Sequence, residues 1–75
     1  MSDDTQIDAR GLLCPLPVLK LRKRLHGAPP GTTLHLLTTD PAAIVDVPHF
    51  CVESGNDLIE STTDGDVTTY IVRKT

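Results

Sequence analysis

Cys14 stands in the stretch GLLCPLPVLK, with Pro15 directly after it and Pro17 two residues further on. A thiol becomes a strong nucleophile only as its thiolate, and exchange at sulfur depends both on the attacking thiol and on the pKa of the one that leaves. The sequence around Cys14 reads as the start of a helix, with Cys14 at the N-cap and Pro15 at the first helical position, where its missing N–H costs nothing. The positive end of the helix dipole, and the N–H of Leu16 aimed back at the sulfur, are then expected to favour the thiolate. The two prolines stiffen the turn and fix where the sulfur points. Such a thiol suits a relay: Cys14 accepts the outer sulfur of a donor persulfide, holds it, and releases it to the next thiol. Hydrolysis or acyl transfer needs a paired base and an oxyanion site, and no histidine is close in sequence. The plainer alternative is a small buried hydrophobe at a helix entry. The Cys-Pro-x-Pro arrangement favours the reactive reading over it.

The other residues with chemical potential are fewer. Cys51 lies 37 positions after Cys14. A chain read as cytosolic does not keep a standing disulfide, so Cys51 is expected to be a buried thiol that follows Phe50 in an apolar stretch. A metal site drawn from Cys14, Cys51, His26, His35 and His49 has no usual ligand spacing, so no metal is expected. On the first helix, Leu16, Leu19, Lys20 and Lys23 share one side. Exposed leucines beside lysines suggest a docking surface for an acidic partner, against the alternative of a solvated helical face.

The elements that must hold these residues fit in one small domain, residues 1–75, of 39% hydrophobic and 3% aromatic composition. The core is therefore aliphatic. Net charge is −3, divided as +2 over residues 1–30 and −5 over residues 31–75. An acidic chain with scarce aromatics is poorly suited to direct nucleic-acid binding. The start MSDDTQ resembles no signal peptide and no apolar run approaches the roughly 18 residues of a membrane span, so a cytoplasmic protein without a membrane role is expected.

Along the chain, QIDAR alternates as a short strand and Gly11 permits the turn after it. CPLPVLKLRKRLHG is a helix closed by Gly27, whose core stripe on a period of about 100° per residue is Cys14, Val18, Leu21 and Leu25. TTLHLLTT is a central strand in which Leu34, Leu36 and Leu37 are apolar. Asp40 caps and Pro41 opens a second helix, which Pro48 is expected to break or kink. DLIEST and VTTYIVRK form a hairpin around TDGD. The order is βαβαββ, an α/β chain with a mixed sheet.

DARGLLCPLPVLKLRK, residues 8–23, resembles the TusA/SirA-type sulfur carriers, small proteins built around a Cys-Pro-x-Pro motif. GTTLHLLTTDPAAIVDVPHFC and the ending YIVRK extend the resemblance over nearly the whole chain. It implies a two-layer sandwich with two helices on one face of a four-stranded mixed sheet of order 1-2-4-3. It also implies that Cys14 carries the persulfide, with Pro15, Leu16 and Pro17 completing the motif, Asp8 and Gly11 the approach to it, and Asp40 and Pro41 the second helix opening. Sulfur in this family comes from a cysteine desulfurase or a rhodanese-type protein, and passes toward thiolated tRNA, molybdenum cofactor or a sulfur-oxidising pathway. No tightly bound cofactor is implied. A relay that must release each partner is expected to be a monomer forming transient complexes. The competing class is a non-catalytic regulatory or protein-interaction module, in which the helix surface matters and the thiol does not.

Overall fold

The computed structural model of the protein describes residues 5–75; the acidic residues at positions 3 and 4 lie outside them. Its elements are β1 (Gln6–Ala9), α1 (Leu16–His26), β2 (Thr33–Thr38), α2 (Ala43–Ser54), β3 (Asp57–Asp64) and β4 (Val67–Arg73). The sheet order is β1-β2-β4-β3, with β1 parallel to β2 and β4 antiparallel to both of its neighbours. Both helices cover one face, giving the expected βαβαββ sandwich. Among the described residues no helix is long and apolar enough to cross a membrane.

β2 organises the core by alternation. Leu34, Leu36 and Thr38 are buried and face the helices, while Leu37 falls on the opposite, half-buried face. In the register, Leu36 lies between Ile7 and Tyr70, and Leu34 beside Val72, so the inner face is continuously apolar at its centre. The helices answer with matching stripes, Pro17, Leu21 and Leu25 on α1 and Ala43, Val47 and Cys51 on α2, each at i, i+4, i+8 spacing. Full burial of one such leucine contributes about 1.5–3 kcal/mol.

Three expectations about the helices are corrected. α1 begins at Leu16 with Pro15 as its N-cap, one residue later than the sequence suggested, so Cys14 is off the helix and exposed rather than part of the core stripe. Pro17 takes its place in the stripe, and Val18 is half-buried. α2 likewise starts late, at Ala43, because Asp40 serves the preceding turn: its Oδ1 accepts the Ala42 N–H at 3.1 Å and its carbonyl accepts the Ala43 N–H at 3.1 Å.

Pro48 does not break α2. It withholds one N–H from the Ile44 carbonyl, but Ile44 is 71% exposed, on the side of the helix that water reaches. Val47 and Cys51 stay buried to either side of the proline, and Gly55, at φ +77°, ends the helix with paired bonds from its own N–H to Val52 and from Asn56 N–H to Cys51. Packing and a strong terminus outweigh the local defect.

Candidate functional site

The turn that presents Cys14 is held from both ends. At its start, Gly11 adopts φ +81°, a conformation suited to glycine, and donates its N–H to Thr39 Oγ1 at 2.9 Å, tying the turn to the end of β2. Leu12 N–H bonds back to the Ala9 carbonyl at 3.2 Å, and the Leu12 side chain packs against the core. Asp8 grips Arg10 through two side-chain bonds, at 2.9 and 3.0 Å, and through the Arg10 backbone N–H at 3.1 Å. Those bonds hold the Asp8 carboxyl down at about 2. Since both side chains are more than half exposed, the pair shapes the loop rather than stabilising the fold.

At the other end, Leu16 N–H donates to the Leu13 carbonyl at 2.9 Å and Leu19 N–H to the Pro15 carbonyl at 3.1 Å, opening the helix. The peptide bond between Cys14 and Pro15 is cis. The Leu16 N–H is thus spent on Leu13 and is not aimed at the sulfur, contrary to the sequence expectation. Cys14 is held at the tip of a short, doubly anchored turn.

The sulfur faces an open cleft of about 300 Å³ between the turn and α2, walled by Pro15, Val18 and Phe50 and edged by Asp46, His49 and Glu53. Its electrostatics reverse the expected thiolate. A hydrogen-bonding interaction with the Asp46 carboxylate, then partial desolvation, then the negative charges of Asp46 and Asp40 push the Cys14 pKa above its ordinary value. The resting thiol holds its proton at neutral pH. Moving Cys14 off the helix and facing it toward acids removes the basis for a stabilised thiolate.

Asp40 stands behind this arrangement. It is 8% exposed, its N–H bonds to Thr38 Oγ1 at 3.0 Å, and its Oδ2 is buried without a hydrogen-bond partner. One polar atom from each of Cys14, Asp40 and Asp46 lies within 4.8 Å of the other two. Among the described residues, neither Cys51 nor a histidine joins this group. The residues that do meet set two carboxylates within reach of the thiol.

Sequence reasoning placed Cys14, Pro15, Pro17, Asp8 and Gly11 together. Cys14 and Pro15 line the cleft, Gly11 opens the turn that presents them, Pro17 is buried on the core stripe, and Asp8 pairs with Arg10 outside the cleft. Sequence reasoning missed Asp46, His49, Phe50 and Glu53, and it saw Asp40 only as a cap. An acid in the first turn of α2 is ordinary for a helix start, so nothing in one dimension marked Asp46 as a neighbour of a thiol 32 residues earlier. Cys51 is buried, as expected, with its pKa raised by that burial and by the charge of Asp57. Leu16 and Leu19 are 47% and 45% exposed, and Lys20 and Lys23 are exposed beside them. These four residues form an accessible face of α1.

Comparison with known proteins supplies the context for this geometry. The family model described as Sulfurtransferase TusA matches residues 5–74. The chain is also 38% identical, over 71 residues covering 95% of it and 93% of its relative, to the sulfur carrier protein TusA of Allochromatium vinosum. The match spans every element of the sandwich together with the Cys-Pro-x-Pro turn, and the chain belongs to the TusA sulfurtransferase family.

Proposed function

We propose that Cys14 is the atom-carrying residue of the family's sulfur-carrier function in this chain: it takes up one sulfur as a persulfide and passes it to a second protein. The observation that carries this reading is the contrast between the two thiols. Cys14 is exposed at the tip of an anchored turn, at the lip of an apolar cleft, whereas Cys51 is buried in the core. An exposed tip lets two different partner thiols reach the same sulfur in succession. The apolar walls of the cleft limit water around a bound persulfide.

The donor is a cysteine desulfurase or a rhodanese-type protein, and the recipient is a downstream protein thiol. Leu16, Leu19, Lys20 and Lys23 offer the surface on which such partners settle, since they lie on the helix that follows directly from Cys14. Intact mass after incubation with cysteine and a cysteine desulfurase, or with thiosulfate and a rhodanese, tests the reading. The expected result is a gain of one sulfur atom, removed by reductant and absent from Cys14→Ser. No gain from either donor, or an equal gain by Cys14→Ser, overturns it.

A further inference from the structure

We infer that Asp46 is the proton acceptor for the Cys14 thiol during sulfur transfer, with Asp40 as a positioning residue that receives the hydrogen bond of the newly protonated acid. The inference rests on the carrier reading of Cys14 and adds to it the fate of the proton.

The geometry carries the argument. Cys14 lies off the helix, and the nearest helical N–H, that of Leu16, is bonded to Leu13, so it is not available to hold a thiolate. What faces the sulfur is a carboxylate. Asp46, Asp40 and Cys14 have polar atoms mutually within 4.8 Å, and Oδ2 of Asp40 is buried without a partner. An ionised acid can only accept, so two carboxylates offer each other nothing. Once Asp46 carries a proton it becomes a donor, and Asp40, with a carboxylate oxygen within 4.8 Å of one of Asp46 and an Oδ2 that has no partner, can accept from it. The orphaned oxygen thus has a function in the protonated form of the pair.

The step balances within the protein and its donor. As the Cys14 Sγ–H proton moves to Asp46, the Sγ electron pair attacks the outer sulfur of the donor persulfide. The new bond joins Sγ to that sulfur and the donor's own S–S bond breaks. Its electron pair stays on the donor's inner sulfur, which leaves as a thiolate and takes up a proton. One S–S bond is exchanged for another, with no net oxidation or reduction. In discharge the steps reverse: the acceptor thiolate attacks the outer sulfur, and Asp46 returns its proton to Sγ as it departs. A thiol that holds its proton tightly is a poor leaving group as a thiolate, so this return matters most in discharge.

Other titratable groups face the same space. His49 and Glu53 of α2 edge the cleft, and Tyr70 of β4 is buried within the influence of Asp40. The first two are natural controls.

The test is the rate of sulfur uptake from glutathione persulfide, read by intact mass between about pH 6 and about pH 8, for the wild type, Asp46→Asn, Asp46→Glu, His49→Gln and Glu53→Gln. A small donor removes protein docking from the comparison, and its own titration is common to all variants. With an internal base, wild-type uptake does not follow the thiolate population, whereas Asp46→Asn follows it. The ratio of wild-type to Asp46→Asn rate is expected to fall by up to about tenfold per pH unit as pH rises. Asp46→Glu should restore part of the wild-type profile, and the His49 and Glu53 variants should keep it. If Asp46 only raised the thiol pKa, both proteins would track their own thiolate fractions and the ratio would be constant with pH, which overturns the proposal. A profile lost in His49→Gln overturns it in favour of the imidazole. Failure of the wild type to take up any sulfur from this donor or from the enzymatic donors overturns the carrier reading instead. Unfolding curves for each variant confirm that the folded proteins are being compared.

Discussion

The reactivity of this protein is decided by two thiols in opposite surroundings. Cys14 is exposed and Cys51 is 3% exposed, between the helices and the sheet. Iodoacetamide should therefore modify Cys14 well before Cys51 in the native protein, while the two react alike in denaturant; equal native rates by peptide mapping would remove the distinction. Burial also gives Cys51 a pH signature. Its pKa is raised from 9.0 on folding, so the protonated thiol favours the folded state. That contribution is fully present below the unfolded value and is lost as pH rises through the folded value. In a Cys14→Ser background, the melting temperature should fall on raising the pH past 9.0, and fall less steeply when Cys51 is also replaced by alanine. Parallel curves would show that folding does not raise the Cys51 pKa.

At the scale of elements, the prolines divide into two kinds. Pro15 is exposed at the helix N-cap, whereas Pro17 is buried on the core stripe of α1 with Leu21 and Leu25. Pro15→Ala should reduce sulfur transfer by loosening the turn. Pro17→Ala should cost about 0.5–3 kcal/mol in denaturant unfolding, and Leu21→Ala about 2–5 kcal/mol. A Pro17→Ala variant as stable as the wild type would contradict the placement of Pro17 in the core. The elements themselves were legible in the sequence because their signals are local: alternation in β2, periodicity in α1, and the glycines after α2 and within the β3–β4 turn. That turn nevertheless has Gly65 at its first central position, with φ +66°, rather than after a central aspartate. Helix starts were misjudged for one reason in both cases. Proline and aspartate shape the turn before a helix as readily as its first residue, and only the hydrogen bonds of Leu16 and Ala43 decide between them.

Over the whole molecule, the unequal distribution of charge acquires a spatial meaning. Lys20 and Lys23 lie exposed on α1, and Asp46 and Glu53 of α2 edge the cleft that Cys14 lines. The family and the Cys14 turn were legible in the sequence because they reside in a contiguous motif; the acidic side of the cleft was not, because it is assembled by packing α2 beside the turn. A partner presenting acids to α1 and a reactive thiol to the cleft is drawn to the basic side and kept off the acidic one, so the charges set the direction of approach as well as its strength. Reversing Lys20 and Lys23 to glutamate should therefore slow sulfur transfer from a protein donor, chiefly through its association rate. The difference from the wild type should shrink as salt rises, since at about 1 M the screening length is only about 3 Å. Uptake from glutathione persulfide should be nearly unaffected, because a small donor does not use the helix face. Equal loss with both donors would place the effect in the turn rather than in docking, and unchanged transfer from the protein donor would show that partners approach Cys14 over another face.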